Sequence, residues 1–161
     1  MVIDLDFKKG VIKKKMNESS SKKIMIFGSR SINFLTDEIR VLLFAHMYRG
    51  DHLLIGDCIG VDYSVQKFLF ERNYPFVTIY TSGYMPRHIA DKRWSVKAAN
   101  VKPEDYESES EYFRVKDMLM SSDCDEAIAI WNGESRASKN NIDTLIALNK
   151  SNVVFIYPQL V

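Results

Sequence analysis

Three short segments of this sequence combine a glycine with side chains that bind anions. The first is Gly28-Ser29-Arg30, which follows an apolar run. A glycine here lets the chain turn without a Cβ clash, the serine hydroxyl can donate a hydrogen bond, and the guanidinium can bind phosphate or carboxylate through two parallel hydrogen bonds. A tight turn that carries a surface arginine is the alternative interpretation.

The second segment runs from Gly56 to Asp62 and opens directly into a predicted helix. Gly56 and Gly60 allow backbone N–H groups to face an anion at the positive end of the helix dipole. Asp57 and Val61 complete this predicted binding turn. Asp62 is not expected to bind phosphate itself, and either accepts a hydrogen bond from a ribose hydroxyl or caps the helix.

The third segment, residues 131–138, also lies between a predicted strand and a predicted helix. Gly133 supplies flexibility, Ser135 and Ser138 supply hydroxyl groups, and Arg136 places a cation at the positive end of the helix dipole. Turns favour small residues for conformational reasons alone. Three such turns at one edge of a sheet nevertheless indicate an anion site more strongly than any one of them.

The elements between these segments predict how they are brought together. Short apolar runs that end in glycine-bearing turns alternate with helical periods, which is typical of an α/β fold with right-handed crossovers. We therefore predict a Rossmann-like three-layer sandwich with a mostly parallel five-stranded sheet, in which Pro75 places the third strand at an edge. The predicted strands are 24–27, 52–55, 75–80, 126–131 and 153–157, and the predicted helices are 36–50, 61–73, 112–121 and 138–149.

In such sheets a ligand binds outside the carboxyl ends of the strands, near the point where the strand order reverses. Residues 81–110 show no clear period, which is typical of a lid, a binding element or a partly disordered loop. Within them, Arg93 and Trp94 either cover a ligand or belong to an exposed basic loop. Residues 1–23 carry seven lysines and are predicted to form an arm or linker ahead of a domain at 24–161, with a short docking strand as the alternative.

Composition narrows the class of partner. The 22 basic and 21 acidic residues nearly cancel, so the overall charge gives no reason to expect nucleic acid or an anionic membrane. No apolar run approaches the roughly 20 residues of a spanning helix, and no signal peptide is evident, so we expect a cytoplasmic protein. Cys58 and Cys124 fit neither a disulfide framework nor a zinc spacing, which predicts no metal site and no cofactor. Cys58 is interpreted as a semi-buried residue, and a homo-oligomer is compatible with the sequence.

The motifs together resemble those of the SLOG superfamily, and in particular its branch of small YspA-like bacterial and phage proteins. A first strand ending in GSR, a GxxxGxD turn and a W-[DN]-G-x-S-x-[GA]-[ST] segment carry the resemblance, which spans about residues 24–157. The K-D-x-x-M helix of that branch is matched by Lys116 and Asp117. The resemblance implies a nucleotide-like ligand at the strand ends, and Lys116 as one of its contacts. Lonely Guy phosphoribohydrolases and DNA-processing protein A are more distant relatives in this superfamily.

One departure bears on catalysis. The phosphoribohydrolases carry P-G-G-x-G-T-x-x-E, and Asn141 stands at the position of its glutamate. An amide cannot act as the general base that a carboxylate provides. Asp117 is then the first candidate for a catalytic acid or base, ahead of Asp57, Asp62 and Glu134, with a helix-surface role as the alternative. Lys116 and Asp117 are adjacent on a helix and are expected to point about 100° apart.

The sequence therefore predicts a protein that binds a nucleotide or nucleotide-derived, ADP-ribose-like small molecule as a sensor or sequestering protein. The alternative is a nucleotide-processing N-glycoside hydrolase or transferase that uses Asp117. Single-stranded DNA binding is a third and weaker hypothesis, because the overall charge is close to neutral.

Overall fold

The computed structural model describes residues 21–157. Within them, all strands pair in parallel and form one six-stranded sheet with the order β4-β3-β2-β1-β5-β6. The strands are β1 Lys23–Gly28, β2 His52–Gly56, β3 Val77–Thr81, β4 Ser95–Ala98, β5 Glu126–Trp131 and β6 Ser151–Ile156. The fold is thus the predicted α/β sandwich of Rossmann-like type. Most of the predicted N-terminal arm, residues 1–20, lies outside the described residues.

The sheet has one strand more than the five that were predicted. The extra strand, β4, lies inside the segment 81–110 and pairs with β3. Its sequence, Ser-Val-Lys-Ala, has three exposed residues, so no alternation of apolar and polar positions marked it. The prediction that the third strand forms an edge was therefore wrong. Pro75 precedes the first residue of β3, Val77, so its missing N–H takes nothing from the sheet.

The helices cover both faces of the sheet. The α-helices of residues 21–157 are α1 Asp37–Arg49, α2 Val61–Glu71, α3 Glu109–Asp123 and α4 Arg136–Ala147. Helix α3 begins three residues before its predicted start because the Ser108 hydroxyl accepts a hydrogen bond from the Glu111 amide and caps it. No helix in this part of the chain combines the length and the apolar character needed to cross a bilayer.

Strand β1 shows why the sequence folds into three layers. Successive side chains of a strand point to opposite faces. Ile24 and Ile26 pack into the core formed with α1 and α2, which contains Leu43 and Val65. Met25 and Phe27 pack into a second core with α3 and α4. A four-residue run that is apolar at every position is what a central strand needs when both of its faces are covered.

The strand order reverses beside β1. From β1 the chain adds β2, β3 and β4 on one side and then returns to place β5 on the other. The carboxyl ends of β1 and β5 are therefore neighbours, with Gly28 paired to Ile130. The loops that leave these two strands lead to helices on opposite faces, which opens a crevice between them.

Arg93 and Trp94 of the long segment differ in their surroundings: the Arg93 side chain is 75% exposed, as the exposed-loop alternative expects, and only Trp94 departs from both predicted roles. Trp94 is only 5% exposed and belongs to the core, where its indole N–H donates to the Tyr74 carbonyl at 2.9 Å. Arg93 is tied to the Asp91 carboxylate. Trp94 therefore does not cover a ligand, and it is not part of an exposed loop either.

Candidate functional site

A cleft of about 480 Å³ lies at the carboxyl edge of the sheet, beside the ends of β1 and β5. Its walls come from the turns after these strands, the start of α2, the exposed face of α3 and the first turns of α4. The structure brings many of the predicted site residues into this cleft. These are Gly28, Ser29, Arg30, Asp62, Lys116, Asp117, Ser135 and Ser138.

The remaining predicted site residues do not line the cleft walls. They are Gly56, Asp57, Gly60, Val61, Gly133 and Arg136. Several of them shape the cleft from behind, because they hold or make room for the side chains and loops that do line it. Their predicted role as ligand contacts stays a prediction.

Ser29 joins the turns after β1 and β5. Its hydroxyl accepts a hydrogen bond from the Asn132 amide at 3.0 Å, and its own amide donates to the Ile130 carbonyl at 3.0 Å. The Asn132 side chain in turn donates to the Ser31 hydroxyl at 3.0 Å. Ser29 is 1% exposed, so its main contribution is to fix the distance between the two walls of the cleft.

Two backbone amides of the turn from Gly56 to Asp62 donate to acceptors of the protein itself. The Val61 amide donates to the Ser29 carbonyl at 3.3 Å, and the Cys58 amide donates to the Asp62 carboxylate at 3.2 Å. These two N–H groups are therefore not available to an anion. Capping was one of the two predicted roles for Asp62, but the N-cap residue of α2 is Gly60, and no side chain caps this helix. The Asp62 carboxylate instead stabilises the turn before the helix by accepting from the Cys58 amide.

The start of α4 is organised by Asn132 and Ser135. The Asn132 side-chain oxygen accepts from the amides of Glu134 at 2.9 Å and Ser135 at 2.8 Å. The Ser135 hydroxyl caps the helix by accepting from the Ser138 amide at 3.3 Å. Ala137, which follows the cap by two residues, lines the cleft. The positive end of the α4 dipole therefore faces the space where a ligand would lie.

Three arginines surround the same space. Arg30 and Arg114 line the cleft, and neither forms a salt bridge with a carboxylate of residues 21–157. Arg87 comes from the segment between β3 and β4, and its guanidinium lies 3.9 Å from the centre of the Phe113 ring. Arg30 approaches that ring to 5.9 Å. The cleft thus concentrates positive charge around one aromatic side chain of α3.

Asp57 holds Arg87 in this position. Its carboxylate accepts from the Arg87 amide at 3.0 Å and from the guanidinium at 2.8 Å. Burial alone would raise the pKa of Asp57, but the hydrogen bonds and charge of Arg87 hold it below its usual value. Asp57 is therefore ionised at neutral pH, and its contribution to the cleft is to hold the Arg87 guanidinium in place.

Beside the arginines, Asp62, Lys116 and Asp117 form a carboxylate–ammonium cluster. The Lys116 ammonium contacts the Asp117 carboxylate at 2.6 Å, so these two side chains meet, although their positions on the helix were expected to point them apart. A buried ammonium requires a counter-charge, and its long stem reaches the neighbouring carboxylate. Gly56 makes room for the cluster, since a Cβ there would lie 2.5 Å from Asp62 Oδ2 and 3.2 Å from Lys116 Nζ.

The surroundings of the cluster shift the pKa values of Asp62 and Lys116. Burial raises the pKa of Asp62 to about 6, although the Lys116 ammonium acts in the opposite direction. Burial favours the neutral form of Lys116, yet the carboxylates of Asp117 and Asp62 hold its pKa above the usual value. Lys116 is therefore a fixed cation and not a nucleophile, while Asp62 can exchange a proton near neutral pH.

Sequence reasoning missed several residues that line the cleft. They are Ser31, Arg87, Glu109, Ser110, Phe113, Arg114, Asn132 and Asn140. Phe113 stands three residues before Lys116, on the same face of α3, so helical spacing was a usable signal for it. Arg87 lies in a segment without periodicity, and no sequence signal pointed to it. Asn141, noted as the replacement for a glutamate, is 6% exposed and also lines the cleft.

Comparisons of the chain with protein-family models, with curated protein sequences and with solved structures gave no match. The resemblance to the SLOG superfamily therefore stays a prediction from the motifs. The class of protein that the structure defines is an α/β sandwich of Rossmann-like type with a charged cleft at its switch point.

Proposed function

We propose that this protein binds a nucleotide or nucleotide-derived, ADP-ribose-like ligand in the cleft and acts as a sensor or sequestering protein. The cleft lies where ligands bind in open parallel sheets. Its volume, about 480 Å³, falls within the range of roughly 300–1,000 Å³ that is common for small-molecule sites. Both charged and aromatic side chains line it, which suits a ligand with a phosphate and a ring.

The observation that carries the proposal is that Arg30 lines the same cleft as the start of α4. Arg30 has no carboxylate partner in residues 21–157, and Ala137 and Ser138 bring the first turn of α4 to the same cleft. A guanidinium and a helix N-terminus that face one space are complementary to a phosphate group. Arg114 adds a second cation on the α3 side.

Calorimetric titration with ADP-ribose and with AMP tests the proposal. We expect Arg30→Ala to weaken binding of the preferred ligand by at least about tenfold, because a charge-assisted hydrogen bond is lost. Arg40→Ala is the matched control, since Arg40 is an exposed residue of α1 paired with Asp37 and lies outside the cleft. An affinity that is the same in Arg30→Ala and in the wild type would contradict the proposal, as would failure of both ligands to bind.

A second candidate function is hydrolysis or transfer at the N-glycosidic bond of such a ligand. The observation that favours it is the carboxylate–ammonium cluster, in which one carboxyl has its pKa raised to about 6 by burial and another is paired with Lys116. A carboxyl group with a raised pKa beside a second carboxyl group is a pair that suits acid–base chemistry. In this candidate Asp117 or Asp62 acts as the general base, a role that Asn141 cannot take.

We place either function in the cytoplasm. Both cysteines, Cys58 and Cys124, are free thiols, which suits a reducing compartment.

A further inference from the structure

The carboxylate–ammonium cluster has acceptor atoms that the protein itself leaves unused. Asp62 receives one hydrogen bond from the described residues, from the Cys58 amide to Oδ2. Asp117 receives one, from Lys116 to Oδ1. Asp62 Oδ1 and Asp117 Oδ2 therefore have no donor in residues 21–157, although both side chains line the cleft. These two oxygens are accessible from the cleft, since no buried side-chain oxygen of the described residues lacks a partner, and each can accept a hydrogen bond from a ligand.

The charge of the cluster limits the kind of ligand group that can donate to these two oxygens. A phosphate would be repelled by the two carboxylates, and the arginines offer it a better place. A cationic amine is disfavoured because the Lys116 ammonium already pairs with one of the two carboxylates and three arginines line the same cleft. A neutral group that donates two hydrogen bonds meets neither objection. Two adjacent hydroxyl groups on one sugar ring have this chemistry.

We propose that Asp62, held by the Cys58 amide, and Asp117, held by Lys116, accept hydrogen bonds from the vicinal hydroxyls of a ribose, so that the cleft selects phosphorylated ribose over phosphorylated deoxyribose. This inference rests on the proposed function, because it assumes that the phosphate of the same ligand is bound by Arg30. It adds the chemical class of the sugar, and it assigns to Asp62 and Asp117 the role of specificity-determining residues. Lys116 is a positioning residue, because its ammonium holds the Asp117 carboxylate through Oδ1.

The test compares ribose 5-phosphate with 2-deoxyribose 5-phosphate by calorimetry, since neither probe carries a base. We expect the wild type to bind the ribose compound about tenfold more tightly, because a site built to accept from a hydroxyl loses a charge-assisted hydrogen bond when that hydroxyl is absent. Asp62→Asn and Asp117→Asn should each reduce this ratio to less than about threefold. Asp143→Asn is the matched control, because Asp143 is an exposed carboxylate of α4 paired with Lys139, and it should keep the wild-type ratio.

The outcomes separate the two proposals. Equal affinity for the two sugar phosphates, with both weakened by Arg30→Ala, would overturn the ribose inference and leave the phosphate site standing. If neither sugar phosphate binds while AMP or ADP-ribose does, the ribose inference fails and the proposed function stands, and if none of these ligands binds, both proposals fail. A loss in Asp62→Asn that appears with AMP and not with ribose 5-phosphate would mean that the cluster binds an amino group of the base, and this also overturns the inference. If Asp62→Asn does not fold, as judged by circular dichroism, Asp117→Asn decides alone, since Asp117 is more exposed, at 14% of its side chain.

Discussion

Gly60 packs directly against the backbone of Arg30. A Cβ on Gly60 would lie 2.4 Å from the Arg30 carbonyl oxygen, and Gly60 has a φ of +77°. The turn before α2 and the turn after β1 can therefore approach each other only through a residue without a side chain. This contact places Arg30 at the cleft, so its loss should affect both stability and ligand binding.

The first prediction compares two glycines with positive φ. Gly133 has a φ of +83°, but the atom nearest to a Cβ at this position would be Ile156 Cγ2, at 4.0 Å. We expect Gly133→Ala to lower the free energy of unfolding by about 1 kcal/mol through backbone conformation alone, and Gly60→Ala to lower it by about 3 kcal/mol or more because backbone atoms must also move. Chemical denaturation measures both, and equal losses in the two variants would contradict the account of Gly60.

The second prediction concerns the pair of Asp57 and Arg87. Asp57→Ala removes both hydrogen bonds to Arg87 while the Asp57 side chain, 2% exposed in the wild type, leaves a buried gap. We expect a loss of about 2–3 kcal/mol in the free energy of unfolding, at the lower end for a broken buried pair because Arg87 can turn partly toward water. Asp143→Ala, which breaks an exposed pair, should cost less than about 1 kcal/mol. A loss in Asp57→Ala no greater than that of this control would show that the pair does not stabilise the loop.

The third prediction is the pH dependence that Asp62 contributes. Its pKa is raised to about 6 from the ordinary aspartate value of 3.8, so the folded state holds a proton that the unfolded state has already released. The stability linked to this proton is complete below about pH 4 and is lost as the pH rises through about 6. Asn cannot ionise, so between about pH 4 and pH 8 the stability of Asp62→Asn should improve by about 2–3 kcal/mol relative to the wild type.

The comparison of wild type with variant is needed because neighbouring groups also titrate. Lys116, Asp117 and Asp57 all act on Asp62, and the lowered pKa of Asp57 gives the opposite trend, with stability lost as the pH falls. These contributions are shared by both proteins to a first approximation and drop out of the difference. A difference in unfolding free energy that does not change with pH would show that Asp62 is not perturbed in this way.

Much of the fold followed from local patterns in the sequence. The run at β1 is apolar at every position because both of its faces are buried, and this is visible without a structure. Strand β4 was not visible, because its stability comes from pairing with β3 while most of its side chains face solvent. Tertiary pairing therefore overrode a sequence that carries no strand signal of its own.

The sequence indicated those residues of the candidate site that lie in the turns between strands and helices. Arg30 and Ser138 could be placed at the strand ends because the turn before each helix is recognisable. The carboxylate–ammonium cluster could not be predicted in this way. It joins Asp62 on α2 with Lys116 on α3, and only the folded sheet brings these helices to one edge. The pairing of Asp57 with Arg87 could not be predicted either, because Arg87 lies 30 residues away in a segment without periodicity.

The last prediction separates a binding protein from a hydrolase. Asn141 lines the cleft and cannot serve as a general base, so under the preferred function the wild type binds AMP or ADP-ribose without releasing a free base or a ribose phosphate. Chromatography of overnight incubations measures this directly. Release of base that disappears in Asp117→Asn while AMP still binds would contradict that function and identify the cluster as the catalytic centre. Release that persists unchanged in both Asp117→Asn and Asp62→Asn would instead point to a contaminating hydrolase, because no acid of the cluster is then required.

Asn141→Glu adds a matched gain-of-function variant. A carboxylate at position 141 should introduce hydrolysis only if it lies within about 1 Å of a productive position, since a misplacement of that size costs about a hundredfold.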